Sequence, residues 1–288
     1  CAMKYRHSYH AGNFADVHKH VTLLTLIGAL QKKEKGFLYL DTHAGRGSYD
    51  LSSPTAEAAG GIGRLAQAVH AAEELRAYAA ALAALRVQLK QRHLYGGSPL
   101  LAVNALRPQD RAVLIELEGA EAHSLEESVA GLAVARSTAL AQVRVERGDG
   151  FQRLKAWLPP PERRGLTFID PPYEEPAEFG RVSAALAEGL RRFPTGVQAA
   201  WYPIKDERTT RAWQAGCART LAAPALVSEL WLFRRDSRVA LNGSGLLIVN
   251  PPHLLLERMQ VWLPELLATL RSSADAGSSA RMLSESAG

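Results

Sequence analysis

Short apolar runs alternate with longer segments of helical spacing along most of the chain. In the first such segment Val17, Val21 and Leu24 recur every three or four positions, which predicts a helix over residues 13–36. The short runs predict strands at residues 37–40, 112–117, 142–145, 166–169, 197–202, 226–233 and 245–249. This alternation predicts an α/β fold in which a parallel sheet carries helices on both faces and closes in an antiparallel hairpin.

The chain divides into four segments by composition. Residues 1–48 hold the first helix and strand of the main domain, and residues 49–95 form a helical insertion rich in Ala, Leu and Arg. Residues 96–271 complete the main domain and begin with a helix for which we expect Ser98 as the N-cap. Residues 272–288 are mostly Ser, Ala and Gly, and we expect this tail to be disordered.

Composition narrows the class of protein. The 288 residues are 47% hydrophobic and 22% charged, which suits one α/β enzyme domain with an insertion. No apolar run reaches about 18 residues and the N-terminus lacks an apolar signal core, so we expect a cytoplasmic protein without a membrane-spanning helix. The two cysteines are too few for a disulfide framework and have no metal-like spacing.

The net charge of +5 favours a polyanionic partner only weakly. Its distribution adds a hypothesis, because three groups of arginines fall on predicted loops, at residues 163–164, 191–192 and 234–235 with Arg238. If these loops share one edge of the sheet, the side chains line a rim that holds phosphate groups. For any single group, solvated loop charge is the plainer interpretation.

The most informative motif is Asp170-Pro171-Pro172-Tyr173, which follows the apolar run 166–169. Prolines cannot continue a ladder, so the strand must stop at Asp170, at the carboxyl end where open α/β sheets bind ligands. The carboxylate and the Pro171 carbonyl can accept both hydrogens of an exocyclic amine, and the Tyr173 ring can stack on a base. The motif is typical of amino-methyltransferases that use S-adenosylmethionine; the plainer alternative is a strand-ending Asp before a proline turn.

A second motif of the same shape begins at Asn250, where two prolines and His253 follow an apolar run. Motifs with Asn in the first position also occur in amino-methyltransferases. Two observations favour Asp170 as the catalytic residue. Its strand comes where the central strand of the sheet is due, and Tyr173 is a better stacking platform than His253.

Three predicted strand ends suit a nucleotide-like cofactor. The first strand leads into the segment 41–47, whose Gly-x-Gly pair lets the backbone approach a ligand closely. Glu116 ends the second strand, where a carboxylate can bind both hydroxyls of a ribose, and Asp149 and Gly150 follow the third strand, where they can read the edge of an adenine. Each signal alone also fits a glycine turn or a solvated carboxylate, and only their order along the chain gives them weight.

Five blocks of the sequence together resemble one enzyme family. They are Tyr5-Arg-His-Ser-Tyr-His10-Ala-Gly12-Asn13, Leu40-Asp-Thr-His-Ala-Gly45, Gly97-Ser-Pro-Leu100, Asp149-Gly-Phe151 and Asp170-Pro-Pro-Tyr173. Over residues 5–252 the chain is similar to the bacterial large-subunit (23S) ribosomal RNA adenine-N6 methyltransferases of the RlmJ type. The resemblance implies a Rossmann-like S-adenosylmethionine-dependent methyltransferase sheet with a small helical insertion. The chain departs from the family pattern at Phe14, where a His is expected, and at Arg46, where a small residue is expected.

The resemblance also implies roles for individual residues. The implied cofactor contacts are Lys19, His20, His43, Gly45, Ser98, Glu116, Asp149, Gly150 and Asp170. The implied catalytic residues are Asp170, Pro171 and Tyr173, and the implied substrate contacts are Tyr5, Arg6 and Tyr173. The implied cofactor is S-adenosylmethionine and the implied partner is large-subunit ribosomal RNA.

The chain is expected to act as a monomer without a metal ion and without a membrane. Four histidines lie in the first twenty residues. However, His18 and His20 are two positions apart on a predicted helix, so they face different directions and cannot share a metal. The helical insertion and the loop 234–244 are the candidates for contact with RNA.

The expected reaction is a direct in-line transfer of a methyl group. The adenine leaves its stack, Tyr173 stacks on it, and Asp170 and the Pro171 carbonyl bind the two N6 hydrogens. The same pocket chemistry suits DNA adenine N6, cytosine N4, guanine N2 or a protein glutamine, and only the family resemblance selects ribosomal RNA. From another class, a non-catalytic RNA-binding protein on the same scaffold stays open, whereas a nicotinamide dehydrogenase is disfavoured because the glycine loop lacks the full fingerprint.

Overall fold

An eight-stranded sheet organises the fold. The computed structural model describes residues 10–135, 141–175, 177–237 and 241–284, and within these ranges no helix combines the length and apolar character needed to cross a membrane. The strands are β1 (Leu38–Asp41), β2 (Ser48–Asp50), β3 (Leu94–Gly96), β4 (Arg111–Glu116), β5 (Gln142–Arg147), β6 (Gly165–Ile169), β7 (Val197–Ile204), β8 (Ala225–Trp231), β9 (Gly243–Val249) and β10 (Gly277–Leu283). The helices are α1 (Phe14–Gln31), α2 (Ala56–Ala58), a π-helical turn (Ala59–Gly63), α3 (Arg64–Gln67), α4 (Glu73–Gln88), α5 (Ser98–Ala105), α6 (Gly119–Ala135), α7 (Gly150–Trp157), α8 (Glu178–Arg192), α9 (Glu207–Thr220) and α10 (Leu255–Leu270).

The strand order of the sheet is β10-β8-β9-β7-β6-β1-β4-β5. The strands from β7 to β5 run parallel, whereas β9, β8 and β10 pair antiparallel. The chain leaves β1 toward β4 on one side and later returns to β6 on the other side, so β1 and β6 form the topological switch point. The predicted α/β class, the parallel sheet and its antiparallel end are confirmed.

Helices cover both faces of the sheet. Tyr39 and Phe168 belong to the hydrophobic core shared with α1, α4, α5, α6 and α10. Leu38, Leu40 and Ile169 belong to the core on the other face, shared with α7, α8 and α9. Because both faces are buried, β6 is an unbroken apolar run rather than an alternating one.

Helix α1 lies almost entirely in the interior. The Asn13 side chain caps it by accepting a hydrogen bond from the backbone N of Asp16 at 3.0 Å. The helix contacts β9, α4, α5 and the π-helical turn, which explains why a charged residue such as Lys19 is buried. It ends at Gln31, earlier than predicted, because the charged residues 32–35 are exposed and have no apolar face to bury.

The segment between β2 and β3 is helical, as predicted for the insertion. The two strands pair antiparallel with Tyr49 opposite Tyr95 and so close the base of the segment. Helix α4 contributes Leu75 and Tyr78 to the core that also contains α1. The insertion therefore shares a core with the main domain, and its boundary at residues 49–95 stays a prediction.

Residues 272–284 of the C-terminal tail are ordered where we expected disorder. Residues Gly277–Leu283 form β10, which pairs antiparallel with β8. The Trp231 Nε1 donates a hydrogen bond to the Asp275 carbonyl oxygen at 3.0 Å, just before this strand. Backbone pairing with an existing sheet edge needs no apolar pattern, which is why a Ser- and Ala-rich segment can form a strand that composition does not predict.

Candidate active site

Acidic residues collect at one edge of the sheet. Asp41 ends β1, Glu116 ends β4, Asp149 follows β5 and Asp170 follows β6. These four strands are neighbours and run parallel, so their carboxyl ends meet at the same edge. The structure therefore brings together the three acidic residues that the sequence assigned to the site, and it adds Asp41.

Helix α1 supplies a cation to Asp170. The Lys19 Nζ lies 2.7 Å from the Asp170 Oδ2 and 2.8 Å from the Asp16 Oδ1, and only 5% of the Lys19 side chain is exposed. Burial alone would lower the pKa of Lys19, but the carboxylates of Asp16 and Asp170 outweigh burial and hold the pKa above its ordinary value. Lys19 therefore stays protonated and fixes Asp170, while its implied contact with the cofactor stays a prediction.

The rest of the D-P-P-Y motif packs as a stiff turn against β7. Tyr173 has a φ of 52°, a left-handed conformation that is unfavourable for a bulky residue. Its hydroxyl donates to the Trp201 carbonyl oxygen at 2.7 Å, and its ring lies 4.9 Å from Phe179 and 5.7 Å from Trp201 between centroids. Pro171 is buried as well. Since only 6% of Tyr173 is exposed, its stacking on a base stays a prediction.

The loop after β1 is built around the buried carboxylate of Asp41. Its Oδ2 accepts hydrogen bonds from the Tyr39 hydroxyl at 2.8 Å and the Ser98 hydroxyl at 3.1 Å, and its Oδ1 accepts one from the His43 backbone N at 3.2 Å. Burial raises the pKa of Asp41 from 3.8 to about 7. The N-cap of α5 is Gly97, so the predicted N-cap role of Ser98 is wrong; its hydroxyl bonds to Asp41 instead.

Glu116 connects the glycine loop to the end of β4. Its Oε2 accepts a hydrogen bond from the Gly45 backbone N at 2.8 Å, and its Oε1 accepts one from the Glu118 backbone N at 2.8 Å. Gly45 has a φ of 65°, which glycine adopts at little cost. Burial raises the pKa of Glu116. Each carboxylate oxygen has a second lone pair, so this strand end suits the two hydroxyls of a ribose.

Asp149 caps α7 and forms an ion pair at the same time. Its Oδ1 accepts a hydrogen bond from the Phe151 backbone N at 2.9 Å, and its Oδ2 lies 2.9 Å from the Arg181 Nη2. The Arg181 guanidinium also lies over the Phe151 ring, 4.4 Å from its centroid. Gly150 packs against the loop after β1, where an added Cβ would lie 1.8 Å from the Thr42 carbonyl oxygen. Glycine is thus required at this position by packing alone.

The two histidines assigned to the cofactor occupy different environments. The His43 ring lies edge-on to Phe151 at a centroid distance of 4.6 Å, and burial lowers its pKa from 6.5 to about 4. His20 is buried, with its Nδ1 3.0 Å from the Tyr95 hydroxyl. His43 therefore lies beside the site as a neutral ring. His20 lies in the core that α1 shares with the insertion, and its cofactor contact stays a prediction.

His18 faces away from His20, as their spacing on the helix predicts. Its Nδ1 lies 3.0 Å from the Ser244 hydroxyl and its Nε2 lies 2.9 Å from the Ser228 hydroxyl. Both ring nitrogens are thus engaged by serines of the antiparallel strands. Across the part of the chain that the structure describes, no group of three His, Cys, Asp or Glu side chains is arranged to hold a metal ion.

The competing motif at Asn250 lies at the opposite edge of the sheet. Strand β9 runs antiparallel to β7, so the residue after its end stands near the amino ends of the parallel strands. The Asn250 Nδ2 donates hydrogen bonds to the carbonyl oxygens of Pro194 at 2.8 Å and Gly196 at 2.9 Å. Asn250 therefore joins two loops and lies at the edge of the sheet opposite Asp170.

The three arginine groups do not form one rim. Residues 163–164 precede β6 and residues 191–192 precede β7, so both groups lie at the amino edge. Residues 234–235 follow β8, whose last residues pair with the start of β9 at the carboxyl edge. The predicted rim is wrong because the first two groups stand before their strands and the third stands after its strand. Arg238 lies outside the described residues.

Asp16 and Trp201 belong to the site although the sequence did not single them out. Asp16 and Lys19 are three positions apart, which places them on one face of a helix, so their pairing could have been predicted from the sequence. Nothing in the apolar run of β7 marks Trp201, whose ring centroid lies 5.5 Å from the Lys19 Nζ. Tyr5 and Arg6 lie outside the described residues, so their substrate contacts stay predictions.

The chain matches known proteins over most of its length. The family model described as Ribosomal RNA large subunit methyltransferase D, RlmJ, matches residues 34–282. Ribosomal RNA large subunit methyltransferase J of Haemophilus influenzae is 40% identical over 272 residues, which cover 93% of this chain and 94% of that protein. The Escherichia coli protein of the same name is 39% identical over 93% of this chain and 94% of its own length.

A solved structure shows the same architecture. The crystal structure of a Legionella pneumophila protein superposes with a TM-score of 0.82 at 32% identity, covering 96% of this chain and 99% of that chain. Together with the matches in sequence, this likeness confirms the family predicted from the five sequence blocks. The chain belongs to the RlmJ family of ribosomal RNA large-subunit methyltransferases.

Proposed function

We propose that this protein transfers a methyl group from S-adenosylmethionine to the N6 amine of an adenine in large-subunit (23S) ribosomal RNA. The observation that carries the proposal is the position of Asp170, a carboxylate fixed by Lys19 at the switch point of the sheet and followed by two prolines and a ring. The family supports ribosomal RNA as the substrate, because the family and both named relatives are ribosomal RNA large-subunit methyltransferases.

The acidic edge fits the cofactor by the chemistry of its side chains. Glu116 would bind the ribose hydroxyls, and Asp149 would accept a hydrogen bond from the adenine amine. Asp149 shares its Oδ2 with Arg181, whose side chain is 48% exposed and therefore free to give way. The neutral ring of His43 would provide an uncharged aromatic neighbour for the adenine. When bound, S-adenosylmethionine supplies an electrophilic methyl group for direct in-line transfer.

Asp170 and the Pro171 carbonyl hold the target amine. Each accepts a hydrogen bond from one of the two N6 hydrogens, which draws the nitrogen lone pair out of conjugation with the base. The Asp170 carboxylate is also available to take the proton that the nitrogen gives up. Because the prolines and the Lys19 ion pair fix both acceptors in advance, positioning supplies much of the acceleration.

The adenine must leave its stack to reach these acceptors. That step costs a few kcal/mol in a duplex and less in a single-stranded region. Stacking on an aromatic ring returns about 1–3 kcal/mol, and Tyr173 is the ring that follows the acceptors directly in the chain. The helical insertion and the loop 234–244 are the candidates for holding the surrounding RNA. Cytoplasmic residence and a monomeric state go with the proposal as expectations.

The proposal is tested with labelled S-adenosylmethionine and unmodified large-subunit ribosomal RNA, followed by nucleoside analysis. We expect label in N6-methyladenosine, and we expect Asp170→Ala to abolish it while cofactor binding is largely kept. Label in another nucleoside would keep the methyl transfer and discard the adenine assignment. A strong preference for duplex DNA would replace the substrate, and bound cofactor without transfer to any RNA would favour the non-catalytic scaffold.

A further inference from the structure

The Lys19 ammonium lies between two carboxylates, of which only one belongs to the reaction proposed above. It is 2.7 Å from the Asp170 Oδ2 and 2.8 Å from the Asp16 Oδ1. The three side chains are 5%, 12% and 6% exposed for Lys19, Asp170 and Asp16, so water screens their charges little. The inference that follows rests on the proposed function of Asp170 and concerns the second carboxylate.

Asp16 is held in place from two sides. Its Oδ2 accepts a hydrogen bond from the Gly12 backbone N at 3.0 Å, and its own backbone N donates to the Asn13 Oδ1 at 3.0 Å. One oxygen is therefore tied to the segment before α1, and the other is turned toward Lys19. This reciprocal capping uses only the Oδ2 of Asp16, so it does not explain why the Oδ1 is turned toward the buried Lys19.

The charge balance of the cluster gives Asp16 a function. Lys19 and Asp170 alone would form a neutral pair, and Asp16 adds one negative charge to that pair. The target nitrogen becomes positive as its fourth bond forms, and a neutral pair beside it would stabilise that charge poorly. A second carboxylate on the far side of the ammonium makes the surroundings of the nitrogen more negative than the pair alone would.

We infer that Asp16 is a positioning residue for methyl transfer: it shares the Lys19 ammonium, so that Lys19 can fix Asp170 without neutralising it. Lys19 then fixes the position of the Asp170 carboxylate, and Asp16 supplies the negative charge that offsets the ammonium. Asp16 acts through Lys19 and Asp170, and the proposal assigns it no contact with substrate or cofactor. The effect of Asp16 is therefore confined to the chemical step and depends on the presence of Lys19.

Asp16→Asn is the decisive variant, because it keeps the shape of the side chain and removes its charge. We expect the single-turnover rate at saturating cofactor and RNA to fall about tenfold or more. We expect the dissociation constants for S-adenosylmethionine and for RNA to stay within about twofold of the wild type. Asp16→Glu, which restores the charge, should recover part of the rate.

The double variant separates charge from structure. In a Lys19→Met background, removing the Asp16 charge should change the rate by less than about twofold or raise it, since no ammonium is left to share. Asp110→Asn is a matched control at the amino edge, where a fully buried Asp110 side chain pairs with Arg107. It should lower the melting temperature and leave the rate unchanged.

Several outcomes would overturn the inference. A wild-type rate in Asp16→Asn would do so, as would an equal loss of rate with and without Lys19. If Asp16→Asn does not fold, a rate for Asp16→Glu as low as that of Lys19→Met would do the same. Failure of the proposed function can be told apart from failure of this inference. If the proposed function is wrong, the wild-type protein itself transfers no methyl group to ribosomal RNA.

Discussion

Asp170 and Asn250 each follow a buried apolar strand and precede two prolines, yet they stand at opposite edges of one sheet. Asp170 follows a parallel strand at the switch point and pairs with the Lys19 ammonium of α1. Asn250 ends an antiparallel strand and donates both of its amide hydrogens to carbonyl oxygens of a neighbouring loop. Two motifs of one shape thus lie in different surroundings because their strands point in opposite directions.

Adjacent residues of α1 repeat this contrast. Lys19 reaches the parallel half of the sheet and joins a charged cluster, whereas His18 reaches the antiparallel half and bonds to two serine hydroxyls. The first contact fixes an ionised catalytic candidate. The second fixes a neutral ring, because burial lowers the pKa of His18 from 6.5 to about 3. One helix therefore supports function on one side and packing on the other.

The largest effect is expected at Asp170. Replacing it by Ala removes the acceptor of one N6 hydrogen, and we expect the single-turnover rate to fall by about 1000-fold or more. Asp170→Asn keeps an acceptor oxygen and should retain more activity. Equilibrium binding of S-adenosylmethionine is the control and should change little; a parallel loss of binding would assign Asp170 to the cofactor instead.

Lys19→Met is expected to have the next largest effect. It leaves Asp16 and Asp170 as two buried carboxylates without the Lys19 ammonium, so the Asp170 side chain should lose its fixed position. We expect the single-turnover rate at saturating cofactor and RNA to fall about 100-fold. A rate close to that of the wild type would contradict the role given to the ion pair.

Glu116→Gln should act on the cofactor and not on the chemical step. The variant loses the charge that would bind the ribose hydroxyls, and we expect the dissociation constant of S-adenosylmethionine to rise about tenfold. At saturating cofactor the transfer rate should be nearly that of the wild type. Isothermal titration measures the dissociation constant, and single-turnover kinetics measure the rate. A loss confined to the rate would contradict the assignment of Glu116 to cofactor binding.

Asn250→Gly should affect stability alone. Glycine accommodates the left-handed φ of 52° at this position but gives up the two hydrogen bonds to the loop before β7. We expect the free energy of unfolding to fall by about 1–2 kcal/mol in denaturant titration. The transfer rate should be unchanged, and a rate loss would restore the second motif as a rival to Asp170.

His18→Gln should change how stability depends on pH. In the wild type the folded-state pKa of about 3 lies below the ordinary 6.5, so protonation favours the unfolded chain. This contribution to stability is present above about pH 6.5 and is lost as the pH falls toward 3. The stability difference between wild type and variant should therefore shrink on acidification, and a constant difference would rule out a buried neutral histidine.

Seven strands of the main sheet were predictable from short runs rich in apolar residues, such as the run that forms β6. The three-residue strands β2 and β3 were not predicted, because they are too short to show an apolar pattern. Strand β10 was not predicted either, since Ser and Ala side chains add nothing to a pairing made by the backbone.

Glu116, Asp149 and Asp170 were predictable from their place after each strand. Asp16 was overlooked although it lies three positions before its ion-pair partner Lys19, because the link from Lys19 to Asp170 spans 151 positions and cannot be read from the sequence. The predicted arginine rim was wrong because its groups lie at opposite edges of the sheet.

The position of catalysis is tested most directly by exchanging the two motifs. The variant Asp170→Ala combined with Asn250→Asp moves the carboxylate from the carboxyl edge of the parallel strands to their amino edge. With labelled S-adenosylmethionine and unmodified ribosomal RNA, we predict no N6-methyladenosine from this double variant and a full yield from Asn250→Asp alone. Methylation by the double variant, or its loss in Asn250→Asp, would contradict the assignment of the reaction to Asp170.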